Sequence, residues 1–207
     1  MGPSEGERPD PEGGQQEAAG RRLVRLAMLV YSAMAAVAVL WRVVIQGEPI
    51  FFTSVAAQEQ GLSFWGDLTV GMGTALLVIL LSDLLTQRTQ WGEELARTLA
   101  ATVGSLSGIQ CVGLALLSGI GEEMFFRGAL QPAVGLGWAS LLFGLMHFAP
   151  EKALLPWTGF AVVMGAVFGA LYLWTGSLWA PIVAHVVING VNLPRLVRRH
   201  AEFEGRV

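Results

Sequence analysis

The sequence predicts an all-α fold: a polytopic membrane helix bundle of about six transmembrane helices, with both termini cytoplasmic. Three observations predict it. Of 207 residues, 53% are apolar and 14% charged, where a soluble domain carries about a quarter charged. The apolar residues come in long runs rather than in alternation or narrow stripes. The basic residues then collect on one side of the map those runs define, as they do in cytoplasmic loops.

A helix needs about 20 mostly apolar residues to cross the hydrocarbon core. The candidate spans run over about 23–45, 66–85, 101–130, 133–149, 157–175 and 178–193. Pro132, Pro150 and Pro194 are expected to stop the third, fourth and sixth. Trp41, Trp65, Trp91, Trp138, Trp157, Trp174 and Trp179 all fall near span ends or in short loops, where amphipathic rings settle at a membrane interface. With the N-terminus inside, Arg8, Arg21, Arg22, Arg25, Arg88, Arg97, Lys152, Arg195, Arg198, Arg199 and Arg206 are cytoplasmic, and only Arg42 and Arg127 fall elsewhere.

Residues 1–20 are rich in Gly, Pro, Glu and Gln and read as a disordered acidic tail. Arg21, Arg22 and Arg25 read as a cytoplasmic anchor for the first span rather than as a signal peptide or twin-arginine signal. The single cysteine, Cys111, has no intrachain partner, and the small net charge of -3 gives no case for nucleic acid. Gly104-x-x-x-Gly108 and Gly165-x-x-x-Gly169 suit close helix packing within the bundle better than homodimerisation, and nothing else speaks to oligomeric state.

Ionisable groups inside a bilayer are costly, so they face cavities, find partners and mark function. Three clusters qualify: Glu122-Glu123 with Arg127, Phe143 with His147, and His185 with Asn189. Glu123 and Arg127 are four apart and can pair on one helix face. Glu122 points about 100° away and stays free of that pair. The third and fourth helices form a hairpin around 132–137, with the glutamates about ten residues before the turn and His147 about ten after it. At 1.5 Å per residue both lie roughly 15 Å below the turn. His185 and Asn189, early in a helix parallel to the fourth, sit near the same depth. A glutamate and a histidine around a water can activate it. A His–Asn pair can stabilise the oxyanion of a tetrahedral intermediate. Together these describe amide hydrolysis inside the membrane.

The pattern Glu-Glu-x-x-x-Arg, Phe-x-x-x-His and His-x-x-x-Asn on successive helices resembles the CPBP family of intramembrane proteases, also called the Abi or type II CAAX-protease family. The resemblance covers roughly 105–193. It implies glutamate-dependent peptidase chemistry: Glu122 activating water with His147, an oxyanion hole from His185 and Asn189, and supporting roles for Glu123, Arg127 and Phe143. It divides the chain into the tail at 1–20, two N-terminal spans and loops at 21–97, a catalytic core at 98–194 and a basic cytoplasmic tail at 195–207. The implied partners are the lipid bilayer and a membrane-anchored protein or peptide substrate with a C-terminal sorting or lipid-linked tail, in a bacterial cytoplasmic membrane. Metal-free chemistry with no cofactor is preferred. The metalloprotease alternative places Zn2+ on Glu122, His147 and His185.

Other readings fit less well. There is no His-Glu-x-x-His, and Ser105, Ser107 and Ser118 lack a Gly-x-Ser-Gly setting. Glu93-Glu94-x-x-Arg97 reads as a solvated or interfacial helix, and His200 as solvent-facing in the basic tail. A proton-coupled transporter would suit intramembrane Glu and His, but no repeated halves are visible. The other alternative is a non-catalytic membrane immunity or scaffold protein of the same fold.

Overall fold

The computed structural model describes residues 11–205. Helix α1, Pro11–Val39, continues through a π-helical turn at Leu40–Ile45. A short α2, Val55–Gln60, precedes α3, Phe64–Arg88, and α4, Gln90–Val103. Helix α5, Gly108–Glu123, passes through π-helical Met124–Leu130 into α6, Gln131–Met146. A 3-10 turn at Lys152–Leu154 leads into α7, Leu155–Thr175, and α8 spans Trp179–Glu204. No strand occurs among the described residues, apart from an isolated bridge between Phe52 and Ser177.

Five helical runs are long and apolar enough to cross a membrane: Ala18–Ile45, Phe64–Arg88, Gly108–Met146, Lys152–Thr175 and Trp179–Phe203. They carry many large apolar side chains on the outside, such as Leu77, Leu80 and Leu116, a surface suited to lipid rather than water. This is an integral membrane protein. The count of five departs from the expected six because the third and fourth spans form one run, Gly108–Met146, broken inside at Gly135 (φ 81°, ψ 164°). The run doubles back there. A straight helix would hold residues 122 and 147 roughly 38 Å apart, yet their side chains lie 3.9 Å apart. Beyond Gly135 the helix has room for about half of a 30 Å hydrocarbon core before it ends at Met146.

Three other boundaries differ from expectation. The chain breaks between α4 and α5, so the third run begins at Gly108 rather than near 101. Gly104 (φ 65°) ends α4 there, and Ser107 and Gln110 form a reciprocal capping box that starts α5. Helix α8 runs through Pro194 into the expected basic tail, leaving His200 half-buried. Of the expected disordered tail, residues 1–10 lie outside the described residues, while 11–20 already belong to α1.

Helices α1 and α5 run parallel: the start of α1 meets Ser105 and Leu106 at Gly20, and further on Tyr31 meets Gly121. Helix α8 is antiparallel to α5, with Val186 against Gly119. Helix α7 packs on the second arm of the doubled run, with Gly165 against Ser140 and Gly144 against Val162, and takes hydrogen bonds from Arg127 and Gln131 of the first arm at its Gly165 and Gly169 carbonyls. Of the two small-residue pairs, Gly165/Gly169 makes close helix contacts, whereas a Cβ at Gly104 or Gly108 would meet nothing within 4 Å. Helix α4 packs against α8 at the end of the bundle where both described termini lie.

A Cβ at Gly165 would come within 2.9 Å of the Ser140 backbone, whereas one at Gly137 meets nothing within 4 Å. Gly165→Val is expected to lower stability in detergent by about 1–3 kcal/mol. Gly137→Ala should leave the thermal unfolding midpoint close to wild type, which a side-by-side melt checks.

Candidate active site

The last turn of α5 carries Glu122 and Glu123, both buried, with side chains 7% and 0% exposed. Their 100° offset on the helix sends them to different partners. Glu123 Oε1 lies 3.0 Å from Arg127 Nη1 and 2.7 Å from His185 Nδ1. Arg127 also donates to the Gly165 carbonyl at 3.1 Å, and its guanidinium sits 4.3 Å from the centre of the Phe143 ring. The pairing of Glu123 with Arg127 expected from their spacing is therefore made, and α7 and α6 close over it.

Glu122 faces the other way. Its Oε2 has no hydrogen-bond partner in the protein and points at two imidazoles, 3.9 Å from His147 Nε2 and 4.0 Å from His185 Nε2. Tyr31, from α1, lines the same cavity as Glu122 and interacts with its carboxylate electrostatically.

The tautomers follow from the outer partners. His147 ends α6, and its Nδ1 lies 2.8 Å from the Phe143 carbonyl. A carbonyl only accepts, so Nδ1 carries the proton, and the neutral ring presents an Nε2 lone pair to Glu122. This bond also caps an end carbonyl of the helix. His185 donates in the same way to the Glu123 carboxylate. Phe168 stacks on the His185 ring at 5.1 Å, and Trp157 meets His147 edge-on at 5.8 Å. Asn189, one turn beyond His185, donates to Ser118 Oγ at 2.9 Å. Ser118 therefore orients an amide on a neighbouring helix.

Glu122, His147, His185 and Asn189 all line one cavity of about 660 Å³, within the size range of small-molecule and peptide sites. It extends from these side chains past Met164 and Leu99 to Trp91 and Arg199, at the end of the bundle that holds α4. The four candidate residues, spread over three helices, are thus brought together. Phe143 lines the cavity as well, while Glu123 and Arg127 lie outside its lining. Two neighbours were not singled out in the sequence, Tyr31 and Phe168, and Ser118 was considered only as a serine nucleophile and set aside. Tyr31 had one available signal, a phenol inside the first apolar run, Ala18–Ile45.

The donor types could suit zinc, but the spacing does not. Ligands of a tetrahedral zinc stand about 3.4 Å from one another, and the separations of 3.9 and 4.0 Å exceed that. Among the described residues no group of three or more His, Cys, Asp or Glu is arranged to hold a metal ion. A gap of this width has room for a water hydrogen-bonded to the carboxylate and an imidazole.

Comparison with known proteins adds a family to this geometry. Residues 104–191 match the family of Rce1-like type II CAAX prenyl endopeptidases. The Rce1-like segment contains all three motifs, so the family resemblance of the sequence is borne out over that stretch. YpbD, an uncharacterized protein of Bacillus subtilis (strain 168), is 44% identical over 80 residues, which are 38% of this chain and 41% of that protein. The match therefore spans about two fifths of that relative. No solved structure matches the chain. Tyr31 lies outside the Rce1-like segment.

Arg127→Leu would leave Glu123 buried without its guanidinium. The expected loss is about 3–5 kcal/mol, seen as poor recovery of folded protein and a lowered unfolding midpoint in detergent. Ser118→Ala, which frees Asn189 without stranding a charge, should stay within about 1–2 kcal/mol of wild type in the same measurement.

Proposed function

We propose that this chain is an intramembrane endopeptidase that hydrolyses a peptide bond in a membrane-tethered protein. The observation that carries the reading is the unpartnered, buried Glu122 Oε2 facing two imidazole nitrogens at 3.9 and 4.0 Å over a cavity. The Rce1-like match over 104–191 supports the same class of chemistry.

In this mechanism a water sits between Glu122 and His147. Glu122 takes its proton as the oxygen attacks the scissile carbonyl. The resulting oxyanion is met by His185 Nε2 and the remaining amide hydrogen of Asn189. With Nδ1–H bound to Glu123, His185 donates from Nε2 only as an imidazolium, which then forms an ion pair with Glu123. The intermediate collapses by breaking the carbon–nitrogen bond, and the proton held by Glu122 passes to the leaving amine. Glu123, Arg127 and Phe143 hold His185 and the end of α5 in place. No metal enters any step, a reading supported by the donor separations.

The substrate proposed is a membrane protein with a C-terminal sorting or lipid-linked tail. The apolar walls of the cavity, including Leu95, Leu99, Phe160 and Met164, suit such a segment. The setting proposed is a bacterial cytoplasmic membrane, in keeping with the Bacillus relative, with the arginine-rich ends of α1, α3 and α8 inside.

Purified protein in proteoliposomes, given a membrane-tethered prenylated CAAX reporter peptide, tests this reading. Wild type should shorten the reporter, and Glu122→Gln should lower kcat on the order of a thousand-fold or more. Undiminished cleavage by that variant would refute the assignment of the base. Treatment with 1,10-phenanthroline should leave the rate within about twofold. Loss of cleavage restored by added zinc would move the mechanism to the metal-dependent form.

A further inference from the structure

Glu122 sits between two environments. One carboxylate oxygen faces the histidines, and Tyr31 of α1 lines the same cavity, packed against the residue before Glu122. Tyr31 lies inside the apolar run Ala18–Ile45, six residues beyond Arg25. A phenol there must find a partner, because lipid offers none.

Its position is set by a series of contacts rather than by one. Val24 and Ala27 pack with Cys111 and Leu114. Ala35 and Ala38 pack with Met124. Between them, Tyr31 lies against Gly121, where a Cβ would come within 2.9 Å of the Tyr31 carbonyl oxygen and 3.0 Å of its Cβ. The glycine directly before Glu122 thus lets the α1 backbone close in at the level of the base. Tyr31 and Glu122 line the same cavity.

We propose that Tyr31 is a positioning residue of the hydrolytic site: its hydroxyl holds the Glu122 carboxylate so that Oε2 stays turned towards His147 and His185. The inference rests on the peptidase reading above. It assigns to the N-terminal span, outside the Rce1-like segment, a part in the active site. A buried carboxylate oxygen without a partner is costly. Without the hydroxyl, Glu122 is free to rotate about its terminal torsion, which is broad for Glu, and the aligned fraction falls.

Two measurements on the full chain test this. In the reporter assay, Tyr31→Phe should lower kcat about tenfold, with KM within twofold and an unchanged unfolding midpoint. Replacing Tyr31 by difluorotyrosine, which restores a hydroxyl, should recover most of the rate. Unchanged kcat, or an effect confined to KM, would overturn the proposal while leaving the peptidase reading intact. The second measurement needs no activity. The chain has two tyrosines, so 3-fluorotyrosine labelling gives two 19F resonances, assigned by the loss of one in Tyr31→Phe. Glu122→Gln should move the Tyr31 resonance and leave that of Tyr172 in place. A stationary Tyr31 resonance would overturn the contact, and with it the proposal, even if wild type cleaves nothing and the peptidase reading fails.

Discussion

The ion pair between Glu123 and Arg127 is the interaction on which the rest of the site depends. Its side chains are 0% and 1% exposed, in a protein whose outer surface faces lipid. Two charges taken from water cost several kcal/mol each, and their attraction offsets this only when the remaining polar atoms are also bonded. Here the guanidinium reaches Gly165 on α7 and lies over Phe143 on α6, while the carboxylate reaches His185 on α8. One pair thus fastens α5 to three other helices. It engages Glu123 through Oε1 alone, since Glu123 Oε2, like Glu122 Oε2, has no hydrogen-bond partner; of the two carboxylates it is Glu122 that lines the cavity.

Much of this was legible in the sequence because helix geometry is rigid. A spacing of four joins Glu123 to Arg127, and an offset of one turns Glu122 away. Counting residues on either side of the 132–137 turn put Glu122 and His147 at one depth, and the chain does reverse at Gly135. Boundaries set by local conformation were less legible. The positive φ of Gly104 and the capping box at Ser107 lie inside what reads as a continuous apolar run. Pro194 was expected to stop α8, yet interior prolines are tolerated in membrane helices when neighbouring groups satisfy the freed carbonyl. Tyr31 was not identifiable as a site neighbour, and Ser118 was considered only as a serine beside a histidine, because both are brought to the site by helix pairing across long sequence separations that leaves no local pattern.

The short arm after Gly135 gives His147 its particular state. A full span would bury this histidine in mid-helix. Ending α6 at Met146 instead leaves carbonyls without helical partners, and His147 Nδ1 takes one of them. That bond fixes the tautomer and aims Nε2 at Glu122. The opposite ring, His185, is fixed by Glu123 in the same manner. A structural end-cap and a structural ion pair therefore supply the orientation of both imidazoles. The same break lets α4 and the end of α8 line the far part of the cavity, where an extended segment from the membrane can lie.

The central claim is this division of labour between adjacent carboxylates, with Glu123 holding the fold and Glu122 held in reserve. Thermal unfolding of Glu122→Gln and Glu123→Gln, purified side by side in one detergent, tests it most directly. Glu123→Gln strands Arg127 and should lower the midpoint by roughly 5–10 °C or more. Glu122→Gln should remain within about 2 °C of wild type, because Glu122 takes no part in the ion pair with Arg127. Equal losses, or a larger loss for Glu122→Gln, would contradict the account.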